Sequence, residues 1–235
     1  MRVLVTRPQP SATRTATRLE ALGHQPILLP MTVARHDPQA AFEVLAGVHA
    51  AIAVTSAEAL RAIASESDAL KPHLDTPLFC VGAATAAAAR DTGFTDTIIG
   101  GGTGADLAAT ILLADARSKV EPLLYLSGTP RAPDFENALR DAAITFKAVN
   151  VYTMEPIVRE AGEIARLFSE AKPDAILFYS VETARHFFAS DDVKSLDLLG
   201  IRMLCMSSRI AEAVPDSLSK AVATRPDEQS LLDLL

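Results

Sequence analysis

The stretch Ala51-Ile52-Ala53-Val54-Thr55-Ser56-Ala57-Glu58-Ala59-Leu60-Arg61 returns later in the chain as Ala175-Ile176-Leu177-Phe178-Tyr179-Ser180-Val181-Glu182-Thr183-Ala184-Arg185, with five identities: Ala, Ile, Ser, Glu and Arg. Each copy is an apolar run that meets a hydroxyl and then takes on helical spacing, the signature of a strand feeding a helix. At nearly the same offset Phe79-Cys80-Val81-Gly82 matches Leu204-Cys205-Met206-Ser207, and Asp91 matches Asp216. Val3 to Met31 resembles Leu124 to Tyr152 in its order of strand, helix and strand. A repeat of this length requires two similar α/β units.

The runs between these landmarks alternate throughout. Strands are expected at 3–6, 26–30, 50–54, 77–81, 95–99, 122–126, 145–151, 174–179, 201–206 and 220–224. Helices are expected at 10–21, 39–46, 57–65, 83–91, 104–114, 133–142, 159–171, 182–189, 208–214 and from Asp227 onward. The strands are continuously apolar, as in parallel sheets covered by helices on both faces. Thr32 to Pro38, with Arg35, His36 and Asp37, reads as a polar linker. Only three strands follow Pro156, too few for a sheet of their own; the two N-terminal strands bring them to five. The expected fold is therefore two similar domains, each a five-stranded parallel sheet flanked by helices (flavodoxin-like), joined by two linking strands with a cleft between them. Residues 1–33 plus 154–235 form a discontinuous domain and 38–150 an inserted one, with crossings near 32–38 and 150–156. Tyr152 sits at the second crossing.

Composition narrows the function classes. Hydrophobic residues at 49% provide sizeable cores, and with 5% aromatics and no Trp those cores must be built from Ala, Val, Leu and Ile. Lys+Arg 22 against Asp+Glu 29 leaves a formal charge of −7, which argues against a nucleic-acid or anionic-membrane surface. Cys80 and Cys205 lie in separate apolar runs, without metal-ligand or disulfide spacing, and read as buried reduced thiols. No apolar stretch approaches the ~20 residues of a membrane span. The chain opens on a strand-like Arg2-Val3-Leu4-Val5-Thr6, which leaves no room for a signal peptide, so a cytoplasmic protein is expected.

In open parallel sheets ligands gather outside the carboxyl ends of the strands. Here those ends carry Thr6-Arg7, Thr55-Ser56, Gly82 to Thr85, Gly100 to Gly104, Ser127-Gly128, Tyr179-Ser180 and Ser207-Ser208. Ser56 and Ser180 precede helices, so N-capping and anion binding use the same N–H groups there. A phosphate loop, a nucleophile elbow and a phosphoacceptor acidic pair are all missing. Gly100-Gly101-Gly102-Thr103-Gly104-Ala105 fits a dinucleotide pattern but comes late in its domain, so it reads equally as a turn or as a loop admitting a ligand. His24, His36, His49, His73 and His186 are scattered without ligand spacing. Tyr152 serves either as a core or interface tyrosine or as a phenol able to donate a proton at the bottom of an interdomain cleft. Arg7 and Arg131, just past strand ends, are either solvated or partners for substrate carboxylates.

The ordered set Val3-Leu4-Val5-Thr6-Arg7-Pro8, Val54-Thr55-Ser56, Val81-Gly82-Ala83-Ala84-Thr85-Ala86, Leu126-Ser127-Gly128 with Arg131, Val151-Tyr152-Thr153 and Phe178-Tyr179-Ser180 resembles the uroporphyrinogen-III synthases along essentially the whole chain. The resemblance implies a lyase of tetrapyrrole (heme) biosynthesis that needs no metal and no cofactor, and a monomer is expected. It would cyclise hydroxymethylbilane to uroporphyrinogen III, with loss of water and inversion of the terminal pyrrole ring. A transient handover from the upstream hydroxymethylbilane-forming enzyme fits the same picture. By matching positions, Tyr152 is the expected catalytic residue and Thr85, Ser56 and Ser180 are expected to contact substrate carboxylates; Arg7, Ser127, Gly128, Arg131, Ser208 and Arg209, at or just past strand ends, complete the expected substrate-binding set. Met206-Ser207-Ser208-Arg209-Ile210-Ala211 departs from the family pattern, which has Gly and a Thr before that Ala, so Arg209 stands in as a carboxylate partner. The rival reading is a two-domain cytoplasmic binding or sensor module for a polyanionic metabolite.

Overall fold

The computed structural model describes residues 1–114 and 121–235. The chain runs β1 (Arg2–Val5), α1 (Ser11–Ala21), β2 (Gln25–Leu28), β3 (Thr32–His36), α2 (Pro38–Leu45), β4 (Ala51–Val54), α3 (Ala57–Ala64), α4 (Ser67–Leu70), β5 (Leu78–Cys80), α5 (Ala83–Thr92), β6 (Thr97–Ile99) and α6 (Gly104–Ala114). It continues β7 (Leu123–Thr129), α7 (Asp134–Asp141), β8 (Phe146–Pro156), α8 (Glu163–Ala171), β9 (Ala175–Phe178), α9 (Val181–Ala189), α10 (Asp191–Lys194), β10 (Arg202–Cys205), α11 (Ser208–Ala211), β11 (Lys220–Val222) and α12 (Glu228–Leu232). It divides into two compact units, Met1–Val33 with Glu155–Leu235, and Ala34–Met154. Both divisions fall inside strands, β3 and β8.

The outer unit holds a five-stranded sheet in the order β11-β10-β9-β1-β2, with parallel pairs from Arg2↔Gln25 to Cys205↔Val222. Leu4, Ile176, Phe178 and Met203 face a core with Phe168 and Phe187; Val3, Val5, Leu177 and Leu204 face the opposite core with Leu19 and Leu231. Burial of both faces is why these strands are continuously apolar in the sequence.

The other sheet has the order β3-β8-β7-β4-β5-β6. Its cores again lie on both faces: Ile52, Val54, Leu78 and Leu126 on one, Ala53, Phe79, Tyr125 and Phe135 on the other. Apart from β3, the order β8-β7-β4-β5-β6 repeats β2-β1-β9-β10-β11. The β7–α7–β8 segment is thus the counterpart of β1–α1–β2, and β4 that of β9. The capping serines agree in backbone, Ser56 at φ −150, ψ 141 and Ser180 at φ −148, ψ 154.

Three expectations change. Thr32 to Pro38 is not a loose linker: Thr32–His36 is a strand at the sheet edge beside β8, so this sheet has six strands instead of five. The Asp37 N–H continues the pairing by donating to the Val151 carbonyl at 2.8 Å. An edge strand tolerates the charged residues that made the segment read as a linker. Strand β8 runs on to Pro156, through the second crossing. Helix α8 starts at Glu163 because Gly162, at φ +83, is in the left-handed region, and Asp192 accepts from the Gly162 and Ile164 N–H groups at 2.8 and 3.0 Å.

Candidate functional site

Strand β8 carries one extra residue against β7. Ser127 pairs with Asn150, but Gly128 pairs with Tyr152, so Val151 is the bulge. Without it Tyr152 would point to the face opposite Val151; with it, both side chains join the core beneath α3 and α5. A Cβ at Gly128 would lie 2.1 Å from Tyr152 Cζ and 2.6 Å from its hydroxyl oxygen, so the hydroxyl end of the phenol occupies the space that a side chain at Gly128 would need.

The Tyr152 hydroxyl lies beside Ser56, whose hydroxyl favours the ionised phenol. Ser56 caps α3, its Oγ accepting from the Glu58 N–H at 3.1 Å. Burial pushes the Tyr152 phenol upward and the Glu58 carboxylate adds to this, against the Ser56 hydroxyl and the Arg131 and Arg61 guanidiniums. At neutral pH the phenol therefore holds its proton.

Arg131 donates to Asn150 Oδ1 at 2.5 Å and to the Gly128 carbonyl at 3.3 Å, and pairs with Glu136 at 2.7 Å. Ser127 is 1% exposed and its hydroxyl donates to the Val149 carbonyl at 2.9 Å. Thr85 lies in the first turn of α5 at 6% exposure. Tyr125, 2% exposed, sits 2.8 Å from Thr55 Oγ1 and is likewise pushed up by burial. The glycine-rich loop ends in an ordinary cap, Thr103 Oγ1 accepting from the Asp106 N–H at 3.2 Å, and a Cβ at Gly104 would meet Phe135 at 2.9 Å, so close helix packing accounts for that glycine.

In the outer unit Ser180 caps α9, accepting from the Thr183 N–H at 3.1 Å. Ser208 and Arg209 are exposed on the four-residue α11. Arg7 stacks on the Tyr179 ring, its guanidinium carbon 4.1 Å from the centroid, and pairs with Glu228 at 2.9 Å. Thr15 and Tyr179 donate to the same Glu228 oxygen at 2.5 and 3.0 Å, and Arg18 pairs with the other at 2.7 Å. Burial alone would raise the Glu228 carboxyl, but Thr15, Arg7, Arg18 and Tyr179 outweigh it and hold it below the usual range.

The inserted unit thus brings Ser56, Gly128, Arg131 and Tyr152 together, while Arg7 joins a cluster around Glu228. Sequence reasoning missed two groups. One is Glu58, 7% exposed, paired with His36 at 2.7 Å and with Arg61; the other is the Thr15, Tyr179 and Glu228 network. The Glu and Arg identities in the repeat were the available signal for the first.

Among the described residues no helix is long and apolar enough to cross a membrane. The family model described as uroporphyrinogen-III synthase HemD matches residues 13–233. Among solved structures, the uroporphyrinogen-III synthetase of Helicobacter pylori is 16% identical over 100% of this chain and 98% of that one, with a TM-score of 0.65. A mutant uroporphyrinogen III synthase of the extremely thermophilic bacterium Thermus thermophilus is 19% identical over 99% of this chain and 96% of that one, with a TM-score of 0.57. At these identities the likeness is one of fold. Comparison with curated proteins gives no significant match. The match over nearly the whole chain carries the assignment: this protein belongs to the uroporphyrinogen-III synthase family, the hydro-lyases of heme biosynthesis that close hydroxymethylbilane to uroporphyrinogen III.

Proposed function

We propose that Tyr152 is the acid that releases the substrate hydroxyl, and that polar residues at the helix starts hold the substrate carboxylates. Proton transfer from the phenol breaks the carbon–oxygen bond, and water leaves with the electron pair. The azafulvene left behind is attacked by the terminal pyrrole, passes through a spiro intermediate, and closes with that ring inverted. The ring proton lost at closure matches the proton donated at the start, so the phenolate can take it back.

The observation that carries this reading is the bulge opposite Gly128, which turns the one half-buried phenol of the inserted unit toward Ser56 at the start of α3. Arg131 and Arg61 favour the phenolate that forms. General acid assistance contributes about 10²–10⁴-fold, and holding the folded chain in place contributes more. For carboxylate contacts we favour Ser56, Arg131, Ser180, Ser208 and Arg209, whose side chains are not enclosed. Thr85 and Ser127, enclosed by their unit, would act through backbone and shape, and Arg7 through the Tyr179 face. We further propose a cytoplasmic monomer that receives its labile substrate from the upstream enzyme; buried free thiols at Cys80 and Cys205 accord with a reducing compartment.

The test is to add the protein to freshly made hydroxymethylbilane, oxidise the products and separate the isomers. Isomer III should predominate, and Tyr152→Phe should lower its formation by about 10²–10⁴-fold with the fold intact. A folded Tyr152→Phe protein working at the normal rate would remove Tyr152 from the acid role.

A further inference from the structure

The repeated Ser-x-Glu-x-x-Arg segment is used differently in its two copies. In the outer unit Glu182 and Arg185 form a pair at 3.1 Å with side chains 41% and 66% exposed, an ordinary surface contact one turn apart. In the inserted unit Glu58 is enclosed, its side chain 9% exposed, and it is held from two elements: Arg61 from α3 itself and His36 Nε2 from β3 at 2.7 Å. A carboxylate is seldom enclosed unless its partners are fixed around it. The same residue supplies the N–H from which the Ser56 hydroxyl accepts at 3.1 Å, and the Tyr152 ring packs on the core to which α3 contributes Ala59 and Leu60, beside Ser56.

We propose that Glu58 is a positioning residue for the reaction: anchored by His36 and Arg61, it fixes the start of α3, and with it the Ser56 hydroxyl, against Tyr152. This inference rests on the reading of Tyr152 as the acid. The edge strand β3 gains a purpose from it, because His36 ties the crossing segment to the helix that carries Ser56. The groups that act on the charge of the phenol are Ser56 at the cap of α3, Glu58 and Arg61 from α3, Arg131 from the segment after β7, and Tyr125 from β7. Glu58 is the one carboxylate in that set, and its charge opposes loss of the phenolic proton.

Two measurements test the proposal. The first is the ultraviolet titration of the phenols, with the Tyr152 component isolated as the difference between each protein and its Tyr152→Phe form. In Glu58→Gln, which keeps the shape of the side chain but removes the charge, that component moves to lower pH. A role confined to stability leaves it where it was. The second is steady-state kinetics on isomer III formation. Glu58→Ala lowers kcat by about 10-fold or more with KM within about 3-fold, Glu58→Gln recovers most of the loss, and Glu182→Gln changes neither kcat nor the titration. The proposal is overturned if the Tyr152 component titrates unchanged in Glu58→Gln, or if a folded Glu58→Ala protein keeps its kcat. The acid reading fails separately, by normal turnover of Tyr152→Phe, and the titration still decides whether Glu58 acts on the phenol.

Discussion

Gly128→Ala is the sharpest single perturbation the site offers. The added methyl carbon would stand 2.1 Å from Tyr152 Cζ, 2.3 Å from Cε2 and 2.6 Å from the hydroxyl oxygen. Ordinary carbon–carbon contact is about 3.5–4.0 Å, so the ring must retreat by roughly 1.4 Å or more. Gly128 is not among the residues at positive φ, so the alanine backbone is unstrained and the whole effect is steric. Because Tyr152 is half-buried, its ring can swing outward, which keeps the cost in stability near the lower end of the ~1–3 kcal/mol typical of overpacking. The loss in catalysis is larger, since a misplacement of about 1 Å can cost about 10²-fold. The assay is the rate of isomer III formation alongside a thermal melt: kcat should fall about 10²-fold while the melt moves by a few degrees. The double variant Gly128→Ala/Tyr152→Phe should be no slower than Tyr152→Phe alone, because both changes remove the same interaction. Wild-type kcat in folded Gly128→Ala would refute the reasoning, for it would mean that the reaction does not use the phenol where the bulge puts it.

Other outcomes follow from the same contacts. Glu228 has a depressed folded-state pKa, so the stability it contributes is present above the ordinary carboxylate range and is lost as pH falls through the depressed value. Glu228→Gln should therefore cost about 1–2 kcal/mol at neutral pH and flatten the acid limb of a pH–stability curve; the figure is reduced from that of a fully buried pair because Arg18 is 38% exposed. Tyr125, Tyr152 and Tyr179 are all pushed upward, chiefly by burial, which gives the opposite sign: stability is full below about pH 10 and falls as pH rises above it, in step with phenolate absorbance. Asp192→Ala should cost about 1 kcal/mol by uncapping α8, with Asp192→Asn recovering part of it in a denaturant titration.

The repeat and the alternation of elements could be read from the chain because strands buried on both faces leave unbroken apolar runs. Two features that matter for the site could not. Strand β3 carries Arg35 and His36 because an edge strand has an open side, and that polarity is what a linker looks like in one dimension. The bulge at Val151 is a single residue of register between β7 and β8, set by which residues pair, so nothing in the order Val151-Tyr152-Thr153 announces it. The approach of His36 to Glu58 likewise arises only once β3 and α3 are placed in the same unit. Residue types were legible, then, while the aim of the side chains depended on pairing.

That aim distinguishes the three tyrosines. Tyr125 is 2% exposed, and its hydroxyl is engaged with Thr55 at 2.8 Å. Tyr179 donates to the Glu228 carboxylate at 3.0 Å beneath the Arg7 guanidinium, and a phenol facing a carboxylate resists becoming a phenolate. Tyr152 instead lies beside a serine hydroxyl, with Arg131 and Arg61 favouring its ionised form against burial and the Glu58 charge. An acid that must give up a proton and recover it needs such a balance: protonated at rest, yet not bound to a negative partner that would make the loss prohibitive. By that criterion the outer unit's phenol is a structural tie to α12, and the balance around Tyr152 supports the acid role proposed for it.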